Sequence, residues 1–381
     1  MTDPAFTWIA DAAGLPALAA ALAAAPWVAL DSEANSMFVY REQVCLLQIN
    51  AGGALFVVDT LALLRAGAEA GQPGAAVLAA LKPELERSNR PLYVHGGEYD
   101  VGCLKRDFAI TLGGVWDSQQ AASFLGWERT GYGAVVEKVC GVALAKAFTQ
   151  YDWATRPLDP GALRYAIDDV VYLPRVCDEL RAAITAADLE DELALANQAV
   201  SGTGWSGGFD PAGFWRIKGV RDLNAGTLPV LAALYTWRDG IAQLANQPPG
   251  RIINNELLLA IARNAPTNFQ LLKRLGLRAW FMSAHGEAMM EVVRGVRAGE
   301  VPPRPRQREV LPIEEERETR LKDWRRSESE RRKAPLQVVL PAKALEHLKQ
   351  HGAGDLAAVP QLGAHRTALY GAKLRELCAD R

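Results

Sequence analysis

Residues 27–33 read WVALDSE, a short apolar run that closes on two carboxylates one residue apart. That is the pattern of a buried strand running out into a loop. Working outward, CLLQI at 45–49, LFVVD at 55–59 and PLYVH at 91–95 repeat the short apolar run and predict further strands, while 75–82 and 97–108 carry helical spacing. From Ser118 to Leu189 nearly every residue fits a helical period. The expected fold is an α/β layer, a sheet with flanking helices, followed by all-α units.

The chemistry-bearing residues fall at the ends of these elements. Residues i and i+2 of a strand share a face, so Asp31 and Glu33 project together. HGGEYD at 95–100 sets Asp100 in the first turn of a helix behind two glycines, which permit close backbone approach. In RYAIDDVVYLP at 164–174, Tyr165 and Asp169 lie four apart on one helix face; Leu163, Ala166, Val170 and Leu173 pack inward and Asp168 points elsewhere. Taken singly, each has an ordinary reading: a solvated loop start, a charge favouring a helix N-terminus, a surface acidic pair. Jointly, the carboxylates of Asp31, Glu33, Asp100 and Asp169 are what two hard divalent cations require. Mg²⁺ prefers oxygen ligands, and two ions about 4 Å apart stabilise both attacking and leaving oxygens of an in-line phosphoryl displacement. Tyr165 would orient the attacking water or help deprotonate it.

Bulk properties bound the rest. At 381 residues two or three domains are expected, and 49% hydrophobic with 23% charged residues fits a globular, helix-rich chain. The longest apolar run, Leu15 to Val28, is broken by Pro16 and Pro26 and lacks a basic leader, so neither signal peptide nor membrane anchor is expected and the cytoplasm is the default. Cys45, Cys103, Cys140, Cys177 and Cys378 form no CxxC pair and read as small buried hydrophobes of a reducing compartment. A net charge of −2 excludes a global polycation, which leaves local patches and bound cations to meet any nucleic acid.

The glycine-rich SGTGWSGG at 201–208 interrupts the helical pattern, and VPPRPRQREVLP at 301–312 cannot continue a helix. The predicted organisation is an α/β domain carrying the four carboxylates at 1–205, a linker at 206–222, a helical domain at 223–300, a linker at 301–315 and a second helical unit at 316–381. GTGWSG and GWSGG match nucleotide-loop and nucleophile-elbow patterns, but both follow a helical stretch instead of a strand and are rejected. His95 reads as a hydrogen-bonded structural residue. His347 and His351 lack an evident third ligand and read as a polar helix face.

The order D-x-E, H-x4-D, Y-x3-D resembles the DEDD exonuclease superfamily, tyrosine branch, and WDSQQAASFLG (116–126), GYGAVVEKVCG (131–141) and DWATRPL (152–158) are similar to signatures of the ribonuclease D family. The histidine branch would need a histidine where Arg164 stands. The resemblance covers roughly residues 25–190. It implies an RNase H-like fold with a mixed sheet, 3′-to-5′ hydrolysis of single-stranded RNA ends, two Mg²⁺ or Mn²⁺ ions, and a part in tRNA or other stable-RNA maturation. No basic residue precedes Arg41 after D-S-E, a departure from the family's pattern. Lys146, Trp153 and Arg156 are candidates for substrate contacts, since a cation serves a phosphate and an indole stacks a base. LYTWRDGIAQLANQPPGRIINNELLLAIARNAP (234–266) resembles an HRDC domain, and a degenerate second copy is expected near the C-terminus. A DNA exonuclease of the same branch and an inactive nucleic-acid-binding scaffold are the alternatives.

Overall fold

A computed structural model describes residues 4–145, 147–205, 207–296, 301–304 and 308–379. The chain divides into two compact units. One takes up Met1–Ala34, Gln43–Trp205 and Glu309–Arg381; the other takes up Asn35–Glu42 and Ser206–Arg308.

The first unit is built on a six-stranded mixed sheet: β1 (Thr7–Ile9), β2 (Val28–Ala34), β3 (Val44–Ala51), β4 (Ala54–Val58), β5 (Leu92–Val94) and β6 (Val115–Asp117), in the order β1-β4-β3-β2-β5-β6. Only β3 runs against the others. Helices cover both faces, so all eight residues of β3 are buried and its sequence shows no polar alternation. The expected strands are present. β1 and β6, of three residues each, were not anticipated, because so short a segment holds too few residues for a period to show.

Two helical segments also differ from expectation. The predicted 75–82 helix is two four-residue helices, Gly74–Val77 and Lys82–Leu85, and Pro83 stands in the first turn of the second, where its missing N–H costs nothing. Pro16 likewise starts a helix, Leu15–Ala24, and does not break one; its buried Leu15, Leu18 and Leu22 join the sheet's main core.

The second unit is all-helical, with helices at Thr227–Ala245, Asn255–Asn264 and Ala279–Gly295 around one core. Residues 206–222, expected as a linker, contain the 3-10 turns Pro211–Arg216 and Val220–Asp222, which bury Phe214, Ile217 and Val220 in that core. Part of the 301–315 linker is structured too: Val301 packs on the same core, Trp215 Nε1 donates to the Pro302 carbonyl at 3.0 Å, and a helix begins at Pro312.

The C-terminal helices, Pro312–Arg332, Ala342–His351 and Gly363–Cys378, enclose a small core of their own yet belong to the first unit. Val338 enters the cluster formed by Ala121, Val135, Val176 and Leu180. Gln337 Nε2 donates to Ser123 Oγ at 2.8 Å, and His365 Nδ1 meets the buried Glu192 carboxylate at 2.9 Å. The separate domain expected at 316–381 is thus packed onto the nuclease helices. Its run of a long helix, a four-residue helix after a proline and a ten-residue helix repeats that of the second unit.

Candidate active site

Three elements deliver the acidic groups. β2 carries Asp31 and Glu33 on one face, as alternation requires, and pairs them with Gln48 and Leu46 of β3. The helix Pro160–Val171 covers that face. Asp159 caps its N-terminus, accepting from Gly161 N at 2.7 Å and Ala162 N at 3.3 Å, and Pro160 opens it; Ala162, Ala166, Ile167 and Val170 bury its inner side. This leaves Tyr165 and Asp169 on one stripe beside the strand end. Carboxylate oxygens of Asp31, Glu33 and Asp169 lie within 4.8 Å of one another, half-buried, and this is the one group of three or more such ligands among the described residues.

Asp100 joins from the other side. It sits in the first turn of the Glu98–Phe108 helix, where its carboxylate accepts a hydrogen bond from Ser32 Oγ. Ser32 points away from Asp31 and Glu33, so Asp100 stands outside the trio while acting on its charges. The loop presenting Asp100 is held by Asp117, which accepts from Gly96 N at 3.0 Å and Gly97 N at 2.9 Å. Gly96 has φ +66, and a Cβ there would meet Gln119 Oε1 at 2.7 Å, so glycine is required. His95 is structural as expected: Nδ1 lies 2.8 Å from Ser118 Oγ, and burial lowers its pKa to about 4 and keeps it neutral.

Packing four carboxylates together has an electrostatic cost. Burial, then Asp169 and Asp100, pushes Glu33 up to about 9; burial, then Asp168 and Asp100, pushes Asp169 up to about 8. Asp31 is raised well above the usual range by burial and then by Asp100, Asp169 and Glu33. Asp100 is raised to about 6 by burial, against the opposing hydrogen bond from Ser32. The Tyr165 phenol is raised by burial and by the neighbouring Asp169, Glu33 and Asp31. An all-oxygen, all-acidic donor set of this kind fits hard divalent cations, which would relieve the repulsion.

The 3′-5′ exonuclease family profile matches residues 6–185 and the HRDC profile matches 227–293. The chain is 30% identical to a ribonuclease D of Sphingobium indicum over 74% of its own length and 71% of that protein. The chain belongs to the ribonuclease D family. With membership goes the activity of a metal-dependent 3′-to-5′ exoribonuclease. The crystal structure of Escherichia coli RNase D shares the fold at TM-score 0.70 and 24% identity, covering 98% of each chain. Protein RRP6-like 1 of Arabidopsis thaliana is 27% identical over 76% of this chain but only 46% of the plant protein, so the chain spans just under half of that relative.

The substrate-side expectations fare differently from the ribonuclease D carboxylates. Lys146 lies outside the described residues. Trp153 is buried at 3% exposure among Cys45, Leu46, Val57 and Ile167, its ring centroid 6.2 Å from that of Tyr165, and so is not a surface for stacking a base. Arg156 is a correction as well. Nε and Nη2 hold both oxygens of Asp59 at 2.6 and 2.7 Å, Nη1 reaches the carbonyls of Trp153 and Thr155, and Nη2 also reaches that of Cys45. Those five bonds use all five N–H donors of a guanidinium, so none remains for a phosphate. Ser32 and Tyr132 are functional neighbours missed in the sequence. The Tyr132 hydroxyl donates to the Asp168 carbonyl at 3.0 Å and its ring lies edge-on to His95, tying the GYG motif to the helix that carries Asp169. Ser32 was readable in principle, since strand alternation turns the middle residue of D-S-E away from its neighbours.

Proposed function

We propose that the chain shortens single-stranded RNA from its 3′ end, tRNA precursors among its substrates, with Asp31, Glu33, Asp100 and Asp169 holding two Mg²⁺ or Mn²⁺ ions. The observation carrying this reading is the convergence of Asp31, Glu33 and Asp169 within 4.8 Å at the strand end covered by the helix of Tyr165. When bound, the ions supply charge to stabilise the attacking and leaving oxygens of the displacement. Asp31 and Glu33 are held on rigid β2, and Ser32 orients Asp100. Tyr165 keeps its proton at neutral pH, because burial and the carboxylates disfavour the phenolate, so it acts as a neutral hydroxyl that orients the attacking water. Its ring is steadied by Phe148 and Trp153, each 6.2 Å away between centroids.

The residues 316–381 are read as a second, degenerate HRDC-like unit, and the cytoplasm as the compartment, which suits five free cysteines. Among the described residues no helix is long and apolar enough to cross a membrane. The test is digestion of end-labelled single-stranded RNA and the matched DNA with Mg²⁺, Mn²⁺ or EDTA. Stepwise shortening of RNA from the 3′ end, lost in EDTA and lost in a folded Asp31→Ala variant, is expected. Full activity of Asp31→Ala refutes the site, and a preference for DNA refutes the substrate.

A further inference from the structure

Gln48 of β3 stands directly opposite Asp31 of β2, and opposed residues of an antiparallel pair project from the same face. Its side chain is 0% exposed, and among the described residues neither Nε2 nor Oε1 has a hydrogen-bond partner. Its neighbours on that face are accounted for. Asn50 Nδ2 donates to the Val170 carbonyl at 3.1 Å, and Leu46 packs with Ala166 and Ile167. On its other side Gln48 is paired with apolar Val57. A buried amide with no partner forfeits its full desolvation cost, and a methionine would fill the same space without that cost. Packing therefore gives no reason for an amide. The polar groups sharing its face at this strand end are the carboxylates of Asp31 and Glu33.

We propose that Gln48 is a positioning residue for the cation site: its amide N–H₂ donates to the Asp31 oxygen not spent on a cation and fixes that carboxylate's orientation when the ions bind. The inference rests on the carboxylate cluster being the metal site. A ligating carboxylate has two oxygens, and the donor that holds the second one sets ligand orientation and metal affinity. A neutral donor suits this place better than lysine or arginine, whose positive charge would compete with the cations for the same carboxylates.

The test measures Mn²⁺ binding to the full chain by electron paramagnetic resonance, alongside thermal melts in EDTA. Gln48→Met should weaken Mn²⁺ binding by about tenfold or more, lower kcat without changing KM for RNA, and leave the cation-free melting temperature unchanged or higher. A merely structural glutamine predicts the reverse: a lower melting temperature and Mn²⁺ affinity within about twofold of wild type, which overturns the proposal. Gln48→Leu covers the case in which methionine is not accommodated. A third readout needs no variant: in wild-type protein ¹⁵N-labelled at glutamine, the most solvent-protected side-chain amide pair should shift on adding Mg²⁺, and an unmoved pair refutes the role. Wild-type protein that binds no Mn²⁺ refutes the metal site itself, a result distinct from any failure at Gln48.

Discussion

Cation binding at this site should be coupled to proton release. Without cations Glu33 is held up to about 9 and Asp169 up to about 8, so at pH 7 both carry protons, whereas Asp100, at about 6, is mostly ionised. Oxygen ligands must ionise to bind. Two protons should leave per loaded site, one from Glu33 and one from Asp169. Two linked protons make apparent affinity rise by about 100-fold per pH unit across neutrality. The same shifts fix the sign of stability against pH. Folded-state values above the ordinary 3.8 and 4.5 favour the cation-free fold while these groups are protonated, a contribution complete below about pH 4 and lost as pH climbs toward 8 to 9. Each retained proton costs about 1.4 kcal/mol per pH unit, so two cost about 2.8. Calorimetric titration of Mn²⁺ in two buffers of different ionisation enthalpy counts the protons. Urea denaturation between pH 5 and 8, in EDTA and in saturating Mg²⁺, measures the slope, which Mg²⁺ should abolish. A flat affinity across neutrality, or equal slopes with and without Mg²⁺, would refute the reasoning.

Tyr165→Phe should lower kcat by roughly 10²-fold while RNA KM and melting temperature hold, because the ring's packing on Phe148 and Trp153 survives. Arg156→Ala should cost about 3 kcal/mol of stability in chemical denaturation, because it strands the buried Asp59 carboxylate. RNA KM should stay unchanged; a raised KM with normal stability would return Arg156 to the substrate path.

The parts of the fold that obey a period were legible in the sequence. Strand alternation placed Asp31 and Glu33 on one face, and helical spacing placed Tyr165 and Asp169 on one stripe; the structure brings the three carboxylates together. What was not legible depends on contacts distant in the chain. Nothing local marks Arg156 as the partner of Asp59, 97 positions away, or Gln48 as the cross-strand neighbour of Asp31. Asp100 was placed correctly on its helix, but its distance from the trio depends on which way Ser32 points. Composition stood in for packing at 206–222: the glycine- and proline-flanked stretch reads as a linker, yet its Phe214, Ile217 and Val220 are core residues.

The return of the chain after residue 308 to the nuclease helices bears on the order in which the molecule is completed during synthesis. The catalytic strands and the Tyr165 helix are synthesised before the helices from Pro312 onward, so the places taken by Val338, Gln337 and His365 stay bare until those helices emerge. Among them is the Glu192 carboxylate, 1% exposed once those helices are packed. A polypeptide released before Pro312 would leave that flank uncovered, an apolar and acidic surface that quality-control proteases could grip.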